Sequence, residues 1–159
     1  MHGDHSNKVV SISAISGWGT LLLVEDDAAV RDLTRSMLER LGYDVLTAQD
    51  GEEAIEFFDA YAHLIRLVIS DLQMPGISGW EVLAAIRQRR PEIPVILTSG
   101  YAEISGRPPW SDECHPFVLN KPYSLGTLTR VLETALVETL RSTTLPNSQR
   151  RNSATAKMS

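Results

Sequence analysis

Leu67-Val68-Ile69-Ser70-Asp71-Leu72-Gln73-Met74-Pro75-Gly76 is an apolar run that ends in a carboxylate and a Pro/Gly turn. A run apolar at nearly every position reads as a strand covered on both faces, the pattern of a parallel sheet. Asp71 stands where that strand meets the turn, so a rigid platform aims its carboxylate at solvent. Three more polar clusters follow apolar runs in the same way. Glu25-Asp26-Asp27 follows Leu21-Leu22-Leu23-Val24, Thr98-Ser99 follows Pro94-Val95-Ile96-Leu97, and Lys121 comes just after Phe117-Val118-Leu119.

Helical patterns fill the intervals. Val30, Leu33, Met37, Leu38 and Leu41 recur at helical spacing, and Gly42 supplies a stop. Tyr43 to Ala48 reads as another strand. Asp50 is placed to cap a helix that buries Ala54, Ile55, Phe58 and Tyr61. Ser78-Gly79-Trp80-Glu81 has capping-box spacing and opens a helix through Val82, Leu83 and Ile86, which ends before Pro91. Ser124 caps a long helix presenting Leu125, Leu128, Leu132, Ala135, Leu136 and Leu140. Between Tyr101 and Pro116, Gly106, Pro108 and Pro109 leave room only for a short or irregular fourth helix. The alternation predicts an α/β fold: a five-stranded parallel sheet in a three-layer α/β/α sandwich with right-handed crossovers. Such sheets bind ligands at the carboxyl ends of their strands, where the polar clusters fall.

The 159 residues suit one domain with a proper core. Residues 141–159 carry Arg141, Arg150, Arg151 and Lys157 and no acid; the formal charge of −5 therefore leaves −9 on residues 1–140. An acidic body argues against nucleic acid as a partner and suits a site that attracts a cation. Cys114 is the only cysteine, so no intrachain disulfide can form and a reducing compartment is expected. No stretch has the length of a membrane-spanning helix, and Val9 to Ile15 reads as a linker or a loose extra strand, not a signal peptide. A cytoplasmic protein without membrane insertion is expected. Its parts are a linker over 1–19, a domain over 20–141 and a disordered basic tail over 142–159. His2, His5, His63 and His115 do not fall at metal-ligand spacing.

Glu25, Asp26 and Asp71 at one edge would raise each other's pKa unless a cation sat between them. Hard oxygen ligands suit Mg²⁺, which often shares its shell with a phosphate. Taken singly, each residue has a plainer reading: a solvated acidic turn for Glu25 and Asp26, a turn-forming Asp71, a surface Lys121, a capping Thr98 or Ser99. Asp27 reads as the cap of the first helix. Together they supply a carboxylate nucleophile toward phosphorus, a metal site, a hydroxyl and a cation.

From about Thr20 to Leu140 the chain resembles the receiver domain of bacterial two-component response regulators. The motifs are Val24-Glu25-Asp26-Asp27, Ser70 to Gly76, Leu97-Thr98-Ser99-Gly100-Tyr101 and Asn120-Lys121-Pro122-Tyr123. The resemblance implies that Asp71 accepts phosphate from a sensor histidine kinase or histidine phosphotransfer protein. It implies that Glu25, Asp26, Asp71 and the backbone carbonyl of Gln73 hold Mg²⁺. Lys121 would pair with the phosphoryl group, and Ser99, aligned from Pro94, would be the hydroxyl that swings toward it. The implied protein is a phosphorelay component, not an enzyme beyond its own phosphorylation and slow dephosphorylation. Val118 stands where receivers commonly carry an aromatic residue, and Arg107 to Pro109 erodes the fourth helix. A single-domain regulator and the tail of a hybrid kinase both fit, and the downstream target is unknown.

Two other functions use similar parts. A receiver-fold binding module would signal without phosphate. An aspartyl-phosphate phosphohydrolase of the haloacid-dehalogenase kind needs a second acid two positions after its nucleophile, where Gln73 stands. A DNA-binding regulator would need a further domain, and only 19 residues follow Leu140.

Overall fold

A computed structural model describes residues 19–100 and 116–144. The linker and most of the tail expected from the sequence lie outside these residues. So do the irregular helix expected after Tyr101, Cys114, and every histidine except His63.

The sheet is built from β1 (Thr20–Val24), β2 (Asp44–Ala48), β3 (Ile65–Asp71), β4 (Val95–Ser99) and β5 (Phe117–Asn120). All strand pairs are parallel, in the order β2-β1-β3-β4-β5. The helices are α1 (Ala28–Arg40), α2 (Gly51–Tyr61), α3 (Gly79–Arg89) and α4 (Leu125–Thr144). From β1 the chain turns outward to β2 and then crosses to β3 on the other side. The two connections therefore leave a crevice above the carboxyl ends of β1 and β3.

Alternation along the strands makes the three layers. Leu22, Val24, Val68, Val95 and Leu97 pack on one face against Ala54 and Phe58 of α2 and Val82, Leu83 and Ile86 of α3. Leu21, Leu23, Leu67, Ile69, Ile96 and Leu119 pack on the other against Leu38 of α1 and Leu128, Leu132, Ala135 and Leu136 of α4. The largest of these side chains are fully buried, each contributing about 1.5–3 kcal/mol.

The expected caps are all present. Asp27 accepts from the amides of Ala29 and Val30, Asp50 from that of Glu53, and Ser124 from that of Thr127. Ser78 and Glu81 close a reciprocal capping box on α3. Gly42 follows α1 with φ +100°, a conformation that L side chains rarely adopt. The peptide bond between Lys121 and Pro122 is cis.

Three details depart from the sequence reading. Leu33 is 60% exposed, and Thr34, one position on, takes the buried place on α1. Leu140 is 52% exposed because a 20-residue helix of about 30 Å outruns the strands beneath it, β4 and β5, of five and four residues and at most about 16 Å long. Tyr61, at the last turn of α2, is exposed as well.

Gly79 begins α3 directly against the turn that follows Asp71. Its amide donates to the Leu72 carbonyl at 2.9 Å, and a Cβ there would meet the Asp71 carbonyl oxygen and lie 2.8 Å from the Leu72 Cα. A backbone neighbour cannot swing aside. Gly126, near the start of α4, has only the Ser124 hydroxyl at 3.8 Å. In urea unfolding, Gly79→Ala is expected to cost about 2 kcal/mol or more, whereas Gly126→Ala is neutral or stabilises by up to about 1 kcal/mol. Equal effects at the two positions would contradict the close approach at Gly79.

Candidate functional site: an acidic edge with one lysine

The main chain places each polar residue before any side-chain contact is made. The Glu25 amide donates to Ala48 of β2 at 3.0 Å, the Leu72 amide to Thr98 of β4 at 2.9 Å, and the Lys121 amide to Ser99 at 2.8 Å. The strand ends are therefore stitched side by side, and their side chains converge. Glu25, Asp26 and Asp71 each offer a carboxylate oxygen within 4.8 Å of the other two. Asp27 is not in this group; it is occupied as the cap of α1.

Burial separates the three acids. Glu25 is 3% exposed and Asp71 7%, while Asp26 is open to solvent. Asp71 is thus recessed, not presented outward as its place beside a turn suggested. The Lys121 ammonium donates to Glu25 Oε2 at 2.9 Å and lies 3.3 Å from Asp71 Oδ2. The Glu25 main chain is held by α1 as well, its carbonyl accepting from Arg31 Nη1 at 2.9 Å. Gln73 is exposed in the turn after β3, and its backbone amide acts to lower the Asp71 pKa.

Both hydroxyl candidates are buried, Thr98 at 2% and Ser99 at 1%. The register pairs Asp71 with Thr98, and Ser99 with Asn120. Ser99 Oγ is a buried hydroxyl with no hydrogen-bond partner among the described residues. An orphaned polar atom of this kind is rare in a packed interior and is costly unless something engages it. Val118 is 40% exposed on β5. Beside the edge, Leu72, Gln73, Met74, Pro75, Ser78 and Trp80 line an open groove of about 600 Å³.

The charges are not balanced. Burial pushes the Asp71 carboxyl above its ordinary value; Lys121 and the Gln73 amide pull it back only in part, and Asp26 adds to the rise. Glu25 is raised too, by burial first and then by Asp71, against the hydrogen bond from Lys121. For Lys121, burial works against the ammonium, but the bond to Glu25 and the charges of Asp71 and Glu25 outweigh it and the pKa rises. Among the described residues one lysine serves two recessed acids, which leaves the edge short of positive charge.

Sequence reasoning brought Glu25, Asp26, Asp71 and Lys121 together, and the fold does the same. It missed that Lys121 contacts Glu25 more closely than Asp71. It also missed Thr34, whose hydroxyl lies 2.7 Å from that of Tyr123. A polar residue midway between Val30 and Leu38 on the buried side of α1 was the available signal.

A parallel five-stranded sheet with an acidic crevice at the β1/β3 ends and a lysine after β5 defines a receiver. The response regulator receiver domain model matches residues 21–133, and the chain belongs to that family. Sensor kinase CckA of Brucella abortus is 35% identical over 129 residues, which make up 81% of this chain and 14% of the kinase. The cell cycle response regulator CtrA of Brucella ovis is 34% identical over 87 residues, 55% of this chain and 37% of the regulator. The chain therefore spans well under half of either curated relative. Among solved structures, the receiver domain of hybrid histidine kinase CckA has a TM-score of 0.62 at 35% identity. That match covers 74% of this chain and 99% of the domain. A receiver domain protein from Clostridium thermocellum has a TM-score of 0.70 at 26% identity, covering 76% of this chain and 95% of that one.

Raised carboxyl pKa values make a prediction of definite sign. Between the unfolded and the higher folded pKa, the folded state binds more protons than the unfolded one. Stability contributed by this edge is therefore full in acid and lost as pH rises from about 4 through the folded values. In buffer free of divalent cations, Asp71→Asn is expected to be more stable than wild type at pH 7 by about 1 kcal/mol, an advantage that shrinks toward pH 4. A variant no more stable at pH 7, or one whose advantage is constant with pH, would refute the charge imbalance.

Proposed function

We infer that residues 20–141 act as a Mg²⁺-dependent phosphoacceptor in a two-component phosphorelay, with Asp71 taking the phosphoryl group. The observation carrying this reading is the recessed Asp71 carboxylate, 3.3 Å from the Lys121 ammonium and within 4.8 Å of the oxygens of two more acids. The donor is a phosphohistidine on a sensor histidine kinase or a histidine phosphotransfer protein. The setting is the cytoplasm, and neither nucleic acid nor membrane insertion is required. The similarity to a hybrid kinase receiver supports the choice of donor.

The donor set fits a hard divalent cation: three carboxylates, one of them exposed, with a single ammonium beside them among the described residues. Glu25, Asp26, Asp71 and the Gln73 carbonyl would hold Mg²⁺, which when bound neutralises charge on the transferring group. The protein's own residues do the rest. An Asp71 carboxylate oxygen attacks phosphorus; the new O–P bond forms as the N–P bond to the donor imidazole breaks, and the imidazole leaves with a proton from solvent. Lys121, already beside both acids, gives its ammonium to the phosphoryl oxygens. Ser99 supplies a donor to the same group, which gives its orphaned hydroxyl a partner. The phosphoryl group adds about −1.5 to −2 charge to the edge, so Lys121 moves toward it and away from Glu25. That movement is the switch that alters protein-protein contacts.

Incubation with a small phosphodonor and Mg²⁺ tests the reading. Wild type is expected to take up stoichiometric, acid-labile phosphate and Asp71→Asn none. Equal labelling of both, or none of wild type, would end the proposal. Ser99→Ala is expected to slow uptake by about 10²-fold, the usual loss when one such donor is removed, while Thr98→Val keeps the wild-type rate. The opposite order would assign the hydroxyl role to Thr98.

A further inference from the structure

Tyr123 connects the acidic edge to α1. Its hydroxyl and that of Thr34 hydrogen-bond at 2.7 Å, and Thr34 is 2% exposed in the middle of that helix. Two residues back along the chain, Lys121 makes the ion pairs to Glu25 and Asp71. The segment is short and held at both ends. The Lys121 amide is bonded to the Ser99 carbonyl, and Ser124 caps α4 through the Thr127 amide. A hydroxyl anchored on α1 therefore leaves the lysine main chain little freedom to shift across the edge. The same helix also reaches the site about one turn nearer its start, where Arg31 donates to the Glu25 carbonyl.

A half-buried Thr–Tyr pair is not needed for packing. Valine fills the space of threonine and phenylalanine that of tyrosine, and two apolar groups in place of a hydrogen-bonded pair are close to neutral in stability. The pair adds direction: it fixes the height of the Lys121 segment against α1. The Tyr123 hydroxyl also senses the edge electrostatically. Burial is the largest influence raising its pKa, the Thr34 bond opposes this, and the charges of Lys121, Glu25 and Asp71 all act on it.

The geometry points to Tyr123 as a positioning residue: its hydroxyl, held by Thr34, sets where the Lys121 ammonium lies between Glu25 and Asp71, and thereby couples the site to α1. The coupling runs in both directions. When Lys121 moves, the Thr34–Tyr123 bond is strained or broken, and α1 receives the change.

Two experiments test the assignment, the first without any phosphoryl chemistry. Urea midpoints are measured for wild type, Tyr123→Phe, Lys121→Met and the double variant. If the hydroxyl positions the lysine, the midpoint shift caused by Tyr123→Phe is at least halved in the Lys121→Met background. Equal shifts in the two backgrounds would make the hydroxyl purely a packing feature and overturn the assignment. The second experiment rests on the phosphoacceptor reading. Tyr123→Phe is expected to lower the rate of phosphoryl uptake at saturating donor about fivefold, the size of one neutral hydrogen bond, with unchanged Mg²⁺ affinity by calorimetry. Thr34→Val gives the same loss, and the double variant loses no more than either single one. Unaltered rates, or additive losses, would overturn the assignment. Absence of uptake by wild type would count against the phosphoacceptor reading alone, leaving the urea cycle to decide the role of Tyr123.

Discussion

Three carboxylates brought within 4.8 Å of one another, with one ammonium among them, are the constraint on which the site depends. Two of those acids are almost removed from water, so each must be protonated, paired or neutralised by a cation. Lys121 reaches both but cannot neutralise both. The fold holds this unfavourable arrangement mainly with uncharged groups, strand-end amides and two apolar layers, helped by the Arg31 guanidinium on the Glu25 carbonyl. Stability comes from the leucines, isoleucines and valines of the sheet. The edge gives some of it back.

That division explains why the elements beside the site are so firmly fixed. The turn after Asp71 cannot move toward α3 because Gly79 already lies against its backbone, and the capping box of Ser78 and Glu81 fixes the start of that helix. On the other side, Arg31 ties α1 to the Glu25 carbonyl. An incoming anion therefore meets a preset arrangement, which lowers the reorganisation that charge stabilisation would otherwise require. What can still move is the lysine side chain, with the Ser99 hydroxyl and the Tyr123–Thr34 pair near it. A signalling site needs such a contrast, because a small local change of charge must bias something with two arrangements.

Much of this was legible in the sequence because it depends on local rules. Apolar runs such as Leu21 to Val24 and Val95 to Leu97 gave the buried parallel strands. Asp27, Asp50, Ser78 and Ser124 marked helix starts, and Gly42 a stop. The site followed from topology, since parallel strands put all their carboxyl ends on one edge. Phase within a helix was harder to read: Leu33 and Thr34 are about 100° apart, and hydrophobicity chose the wrong one. The resting partner of Lys121 was not legible either. It lies 96 residues away and depends on how far β5 and β1 project past the sheet edge, which no local pattern encodes. The Thr34–Tyr123 bond spans 89 residues and escaped for the same reason.

The central claim is chemical: the recessed acid at the end of β3 carries the phosphoryl group as a mixed anhydride. Borohydride reduces an acyl phosphate to the alcohol, converting an aspartyl residue to homoserine, which peptide mass spectrometry locates without a mutation. After treatment with phosphodonor and Mg²⁺, the account predicts homoserine at position 71 and nowhere else. Reduction at residue 25 or 26, or a phosphorylated protein with no reduced aspartate at all, would contradict it.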